Sequence, residues 1–109
     1  MTNYRVQWTA SARQDLTEII QYIAADNIGA GLKQLNKIEH RAMSLYQHPK
    51  RGRIVPEFLA IGISQYRELV IRPWRMLYRI EENQVYIIAL LDSRRQLEDI
   101  LLQRLVHAQ

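Results

Sequence analysis

The sequence contains no cysteine, and it has only four glycines and three prolines. Without thiols, neither disulfide bonds nor thiolate metal sites can form. The three histidines lack the close spacing of a zinc site, so we expect no metal and no cofactor. The sequence also has no glycine-rich phosphate loop and no G-x-S-x-G motif, which excludes the common nucleotide-binding and serine-hydrolase signatures.

Long hydrophobic runs are absent as well. No apolar stretch approaches the roughly 20 residues that a bilayer-spanning helix needs, and residues 1–5 lead straight into patterned sequence without the organisation of a signal peptide. We therefore expect a cytoplasmic protein that does not enter a membrane. The 109 residues, of which 48% are hydrophobic and 24% charged, suit one folded domain covering residues 1–109.

The charge of the chain is mildly basic. Lysine and arginine exceed aspartate and glutamate by 15 to 11, which gives a net charge of +4. Within residues 50–109, nine of the ten basic side chains are arginines. The planar guanidinium group of arginine suits phosphate and carboxylate groups. This composition therefore favours acidic partners such as nucleic acid or an acidic peptide.

Hydrophobic periodicity predicts a strand and a helical hairpin in the first half of the chain. Residues 4–9 alternate apolar with polar side chains, as in a half-buried strand. Ser11 begins a capping-box pattern, and apolar residues then recur at helical spacing. A second amphipathic helix is predicted from about residue 28 to His48, because Pro49 disfavours helical backbone in the residue before it. The short connection implies that the two helices pack antiparallel.

The second half predicts three strands and a closing helix. Residues 54–62 are apolar but unpatterned and predict a crossing segment. A second capping-box pattern at Ser93 begins the last helix. Short turns separate the three strands, so they should form an antiparallel meander whose third strand is buried on both faces. The predicted strands are residues 66–71, 74–80 and 85–91. The fold class is therefore α+β in the order β-α-α-β-β-β-α, with a helical hairpin packed on a small antiparallel sheet and a C-terminal helix.

Arginines in the predicted strands are the first candidates for binding. In the second strand of the meander, alternation places Arg75 and Arg79 on one face. An arginine in the middle of a strand indicates either a solvated face with cross-strand ion pairs, for which Glu68 is a candidate partner, or a face that contacts an anion. Arg67, in the strand before, is a further candidate.

Two more arginines, Arg94 and Arg95, fall in the first turn of the last helix, where the helix dipole disfavours cations. Either a nearby acidic side chain or an acidic ligand would offset this placement. Glu57, Glu68 and Asp92 are the carboxylates that we consider as general bases, although surface carboxylates seldom take that role.

Several segments of the chain form a recognisable pattern when taken in order. They are Thr9 to Leu16, similar to T-x-x-A-x-x-D-L; residues 48–53, similar to P-x-x-G-R; residues 66–80, similar to R-E-L-V-I-x-P-Y-R-I-L-Y-R; and the pair Arg94-Arg95 before the last helix. This pattern resembles the ParE branch of the RelE/ParE superfamily of toxins. The resemblance covers nearly the whole chain and implies the same order of strands and helices.

The resemblance implies the toxin of a type II toxin–antitoxin system, neutralised by a cognate antitoxin. ParE-like members inhibit DNA gyrase, whereas RelE-like members cleave mRNA in the ribosome with the 2′-hydroxyl of the RNA as nucleophile. The second reaction needs a base, an acid and cations on the phosphorane. In that case Arg75 would match the arginine that RelE-like enzymes carry in this strand, and Glu57 would match a carboxylate base found in some of them.

The sequence departs from the RelE-like pattern where proton transfer is needed. The RelE-like enzymes usually carry lysines on the strand before that arginine and a tyrosine or histidine near the C-terminus. Here the preceding strand has Arg67, Glu68 and Leu69 instead, and residues 92–106 contain no tyrosine, histidine or lysine. Arginine cannot replace them, because its pKa stays above about 12.

We therefore predict a ParE-like inhibitor of DNA gyrase that is not an enzyme and has no small-molecule substrate. Its expected partner is a ParD-like antitoxin with an acidic tail. Two alternatives are a RelE-like endonuclease that acts with the ribosome and an inactive antitoxin- or DNA-binding module. The candidate target-binding residues are Arg67, Arg75, Arg79, Arg94 and Arg95.

Overall fold

The computed structural model describes residues 3–93, 97, 103 and 104, which form an α+β fold. The predicted order from the first strand through the helical hairpin to the three-stranded meander is present, with a short strand and a short helix added before the meander. Most of the predicted last helix lies outside the described residues. A five-stranded sheet carries two long helices on one face and a short helix on the other. No helix within this part of the chain is long and apolar enough to cross a membrane. The elements are β1 (Arg5–Trp8), α1 (Ala10–Asp26), α2 (Ile28–Met43), β2 (Arg53–Ile54), α3 (Pro56–Leu59), β3 (Tyr66–Ile71), β4 (Trp74–Glu81) and β5 (Gln84–Asp92).

Helix α1 begins earlier than its capping-box pattern suggests. The hydroxyl oxygen of Thr9 accepts the N–H of Ala12 at 3.2 Å, so Thr9 is the N-cap and the prediction of Ser11 is wrong. Threonine and serine are both good N-caps. Thr9 takes the role because its own N–H donates to the carbonyl of Ile87 at 3.0 Å, which holds Thr9 in the extended conformation that an N-cap adopts.

A single residue, Asn27, joins the two long helices. Its N–H donates to the carbonyl of Ile23 at the end of α1, and its side-chain oxygen accepts the N–H of Ala30 in the first turn of α2. Gly31 lets the helices pack closely, because a Cβ atom there would lie 2.8 Å from the Cβ of Ala24. The antiparallel helical hairpin predicted from the sequence follows from this tight junction.

Helix α2 ends at Met43 and not at His48, so the predicted C-terminus is wrong. A 3-10 turn, Ser44–Tyr46, follows it. The Ser44 hydroxyl donates to the carbonyl of Arg41 at 2.6 Å, and the carbonyl of Tyr46 accepts the N–H of Tyr4 at 3.0 Å. Because these carbonyl groups accept bonds from outside the α-helical pattern, the α-helix ends in a 3-10 turn before it reaches the proline.

The strand order of the sheet is β1-β5-β4-β3-β2. Strands β3, β4 and β5 form the predicted antiparallel meander, and β5 is an interior strand buried along most of its length. Strand β1, however, pairs with β5 in parallel, so the sheet is mixed and not wholly antiparallel. Alternation predicts that a strand exists but not its direction, which here follows from the path of the helical hairpin across one face.

The predicted crossing segment at residues 54–62 contains two short elements. Strand β2 adds an edge to β3, with Arg53 opposite Glu68, and α3 then crosses the sheet face away from the hairpin. Val55 and Phe58 are buried there, in a second apolar cluster separate from the core beneath the hairpin. Leu97, from the predicted last helix, belongs to this cluster too.

A bulge in β5 changes the side of the sheet that its residues face. Leu77 pairs with Ala89 and Tyr78 with Ile87, so Ile88 is the extra residue. Ile88 and Ala89 consequently both pack in the second cluster, whereas Ile87 packs under the hairpin. A bulge of this kind leaves backbone groups without a ladder partner.

Candidate functional site

Four charged side chains form an ion-pair chain on the sheet face opposite the hairpin. Arg75 on β4 donates from Nη1 and Nη2 to the two carboxylate oxygens of Glu57 on α3, each at 2.8 Å. Its Nε donates to one carboxylate oxygen of Glu68 on β3. The other oxygen of Glu68 accepts from Nε of Arg53 on β2 at 2.7 Å. We refer to Glu57, Arg75, Glu68 and Arg53 as the ion-pair chain.

The inner members of the ion-pair chain are removed from water. The side chain of Glu68 is 0% exposed and that of Arg75 is 9% exposed, whereas Glu57 at the outer end is 32% exposed. A buried charge is tolerated only when partners compensate it. Arg75 therefore lies between two carboxylates, and Glu68 lies between two guanidinium groups.

The pairing fixes the charge states of Glu57 and Arg75. The hydrogen bond from Arg75 lowers the pKa of the Glu57 carboxyl below its ordinary value of 4.5, although partial burial acts in the opposite direction. Hydrogen bonds to Glu57 and then to Glu68 raise the pKa of Arg75. Both side chains are charged at neutral pH, and their charges are directed at each other.

Strand register explains why these residues meet. Val70 lies opposite Arg75 and Leu77 opposite Glu68, so Arg75 and Glu68 are diagonal neighbours on one face. The alternation of β3 and β4 is sufficient for that contact. Glu57 reaches the same place because Pro56 starts α3 and the buried Phe58 anchors it over the sheet.

The ion-pair chain restricts what Arg75 can bind. All three guanidinium nitrogens of Arg75 donate to carboxylate oxygens, and the side chain is only 9% exposed, so a phosphate would have to compete with Glu57 and Glu68 for it. Glu57 itself is a weak base in this state, because its proton affinity is lowered by the guanidinium that it binds. The two residues that the RNase alternative requires are thus each other's partners.

On the opposite face, Tyr78 fixes the connection between α2 and β2. Its hydroxyl donates to the carbonyl of Pro49 at 2.7 Å and accepts the N–H of Gly52 at 2.9 Å. Burial raises the pKa of Tyr78, so its hydroxyl keeps its proton. Arg67 donates to the carbonyl of Gly52 at 2.8 Å. Gly52 admits no side chain, since a Cβ would lie 2.4 Å from the carbonyl oxygen of Glu68.

The three candidate arginines that the structure describes do not form one shared binding surface. Arg67 is engaged with the connection before β2, and Arg75 is enclosed in the ion-pair chain. Arg79 lies over the ring of Tyr86, with its guanidinium carbon 4.8 Å from the ring centre, and its side chain is 30% exposed. The other two candidates, Arg94 and Arg95, lie outside the described residues.

Comparison with known proteins identifies the family. A sequence model described as the ParE toxin of the type II toxin–antitoxin system parDE matches residues 6–97. Toxin ParE3 of Caulobacter vibrioides is 31% identical over 94 residues, which cover 85% of this chain and 90% of the relative. The chain belongs to the ParE toxin family of type II toxin–antitoxin systems. The RelE/ParE resemblance inferred from the sequence is therefore confirmed.

Solved structures share the fold of this ParE-family chain. A chain of the chromosomal ParDE system of P. aeruginosa has a TM-score of 0.66 and 21% identity, covering 82% of this chain and 95% of the other. A chain of the RelBE2 toxin–antitoxin complex of Mycobacterium tuberculosis has a TM-score of 0.61 and 23% identity, covering 84% and 93%. The fold is thus common to ParE and RelE proteins and does not separate their activities.

Asp15 and Arg104, for which the sequence pattern predicted no role, hold distant segments of this ParE-family toxin together. Asp15 in α1 accepts the N–H of Leu90, beside the β5 bulge, at 3.0 Å. Arg104 donates to both oxygens of Asp15 and to the carbonyl of Ile88 at 3.1 Å. The hydrogen bonds to Asp15 raise the pKa of Arg104. The only indication in the sequence of a role for Asp15 is that it is the aspartate of the T-x-x-A-x-x-D-L motif.

Proposed function

We propose that this ParE-family toxin stops growth by inhibiting DNA gyrase, and that a ParD-like antitoxin with an acidic tail neutralises it. The observation that carries the choice of target is the pairing of Arg75 with Glu57. In a ribosome-dependent RNase these two groups would face the scissile phosphate and the 2′-hydroxyl. Here each neutralises the other.

Proton transfer gives a second argument against RNA cleavage. A general base works best when its pKa lies near the operating pH, whereas the pKa of Glu57 is shifted downward. The hydroxyl of Tyr78 lies on the other face of the sheet, where it donates to the carbonyl of Pro49. Burial raises the pKa of Tyr78. Glu57 contacts Arg75 but its lowered pKa makes it a poor base, and Tyr78 lies on the opposite face of the sheet from Arg75. We therefore assign Arg75 a structural role.

Contact with the target then falls to exposed cations. Arg79 keeps a partly exposed guanidinium group, whose one ion pair among the described residues is a 3.8 Å contact with the exposed Glu81. Arg94 and Arg95 are proposed from the sequence, since their expected place at the start of the last helix favours an acidic partner. An inhibitor of this kind needs binding surface and no reacting group.

Exposed apolar side chains support the antitoxin as partner. Tyr22, Ile28 and Leu32 are exposed on the helical hairpin, at 83%, 71% and 56%. On the other face, Leu59 at the end of α3 and Ile61 just after it are exposed. We propose that the antitoxin covers these side chains, since an exposed apolar patch is the usual mark of a protein–protein contact. A disordered acidic segment that folds over them would complement the basic charge of the toxin and bury well over about 1,000 Å².

The proposal is tested by following macromolecular synthesis after induction of the toxin. We expect incorporation of labelled thymidine to fall before incorporation of labelled leucine, because gyrase supports replication. Induction of the antitoxin should restore both. An immediate fall in leucine incorporation, with thymidine incorporation continuing, would instead support the ribosome-dependent alternative.

A further inference from the structure

The connection between α2 and β2 is unusually rich in positive charge. Its residues 48–53 read His-Pro-Lys-Arg-Gly-Arg, and no aspartate or glutamate occurs between Glu39 and Glu57. His48, Lys50, Arg51 and Arg53 are all exposed. We call residues 48–53 the basic loop.

The basic loop is held in one conformation from several sides. The N–H of Arg51 donates to the carbonyl of His48 at 3.0 Å, which closes a tight turn. Tyr78 bonds both Pro49 and Gly52, and Arg67 bonds the carbonyl of Gly52. A surface loop anchored by a buried tyrosine presents its side chains with little loss of backbone freedom on binding.

The cations of the basic loop differ in whether they already have a partner. Arg53 pairs with Glu68, whose charge is also offset by Arg75. Lys50 and Arg51, by contrast, form no ion pair or side-chain hydrogen bond with any residue that the structure describes. Two adjacent cations on a fixed turn are therefore available to an anion.

An open cleft of about 460 Å³ lies beside these two cations. No acidic residue and no large aliphatic side chain is among its lining residues, which are Tyr4, His48, Pro49, Lys50 and Arg51. A concave surface of one charge concentrates the electrostatic potential on an anion. Tyr4, which is half-buried and packs against the core beneath the hairpin, forms part of the wall of the cleft.

From this geometry we infer that the basic loop and Tyr4 form a binding site for the phosphodiester backbone of nucleic acid. Lys50 and Arg51 contact successive phosphates, and His48 adds a further donor. We favour phosphodiester over an acidic peptide, because a peptide that folds on this toxin would also need exposed apolar side chains as anchors. The exposed apolar residues of the hairpin and of α3 do not line the cleft. The inference rests on the proposed function only in naming gyrase-held DNA as one source of the phosphates.

The test measures binding of purified full-length toxin to a short labelled DNA duplex, and to RNA of the same sequence, by fluorescence anisotropy without gyrase. A salt series between about 50 and 200 mM gives the slope of log affinity against log salt. The test variant is Lys50→Gln with Arg51→Gln. The matched control is Lys33→Gln with Lys37→Gln, which removes the same charge from the exposed side of α2.

We expect wild type to bind and the Lys50→Gln, Arg51→Gln variant to lose about two units of salt slope, one for each phosphate contact. The control should keep the wild-type slope, and all three proteins should melt alike. Tighter binding of DNA or of RNA identifies the source of the phosphates and supports the site in either case. The inference is overturned if wild type does not bind, if both variants lose slope equally, or if an oligoglutamate of equal charge competes equally well.

Failure of this site is distinguishable from failure of the proposed function. Binding is measured on free nucleic acid, so a negative result leaves gyrase inhibition unaffected. Conversely, a toxin that acts on the ribosome would still bind phosphodiester at the basic loop.

Discussion

Arg104 binds Asp15 through two hydrogen bonds, at 2.7 and 2.8 Å, although the two residues are 89 positions apart in the sequence. Asp15 also accepts the N–H of Leu90, so a single carboxylate joins α1, the β5 bulge and the C-terminal part of the chain. We expect this contact to hold the C-terminal segment in register with the sheet.

Replacing Asp15 with alanine should therefore destabilise the fold. The change leaves the N–H of Leu90 and the charge of Arg104 without their partner, which costs about 2 kcal/mol for groups that are partly exposed. For a domain of this size, that is a fall in Tm of roughly 10 °C. Asp26→Ala is the matched control, because Asp26 is an exposed carboxylate at the end of the same helix. Equal melting of the two variants would show that the contact contributes nothing.

The pairing of Glu57 with Arg75 predicts a dependence of stability on pH. The folded-state pKa of Glu57 is lowered from 4.5, so its contribution is present above that value and is lost as pH falls through the folded pKa. Wild type should be more stable than Glu57→Gln at pH 7, and the difference should close as the solution becomes more acidic. Thermal melting across the acid range measures it. A constant difference would mean that ionisation of Glu57 does not matter.

The stability of the fold should depend on compensation of the buried charge of Glu68 by Arg75, and not on the presence of a charged pair at this position. Arg75→Ala leaves the fully buried carboxylate of Glu68 with Arg53 as its one partner in the ion-pair chain, which should cost about 3 kcal/mol or more. The double variant Arg75→Met with Glu68→Leu removes both buried charges and fills similar volume, so it should melt near wild type.

The same double variant distinguishes the two activities. If Arg75 is structural, Arg75→Met with Glu68→Leu should still arrest growth on induction. An RNase that lost the cation at its phosphate would lose about 10²-fold or more in rate. A folded, nontoxic double variant would therefore contradict the structural role.

Tyr78 should control the mobility of the basic loop. Tyr78→Phe removes the bonds to Pro49 and Gly52 and leaves the buried N–H of Gly52 unpaired, at a cost of about 1–3 kcal/mol. We expect faster tryptic cleavage after Lys50 and Arg51, read by mass spectrometry. Tyr22→Phe, at an exposed position, is the control. If both variants are cut at the wild-type rate, the loop is not held by Tyr78.

Local patterns in the sequence predicted much of the fold. The strand predicted at residues 66–71 matches the bounds of β3, and the apolar run of β5 predicted an interior strand. Strand direction and helix ends were less predictable, because they depend on partners in other elements. Thr9, for example, caps α1 since its N–H is held by β5, a contact that no local pattern reveals.

The candidate site was predictable only in part. The face shared by Arg75 and Glu68 followed from strand alternation and register. The contact of Arg75 with Glu57 did not, because it depends on how α3 crosses the sheet. Contacts between residues far apart in the sequence depend on how the elements pack together. The contact between Asp15 and Arg104 is a second example.

The most direct test of the gyrase proposal uses purified toxin in two parallel reactions. One contains DNA gyrase, relaxed plasmid and ATP, and the other contains ribosomes programmed with a defined mRNA. We expect the toxin to block supercoiling, the antitoxin to relieve the block, and the mRNA to stay intact. Cleavage of the mRNA in the ribosome, with supercoiling unaffected, would contradict it.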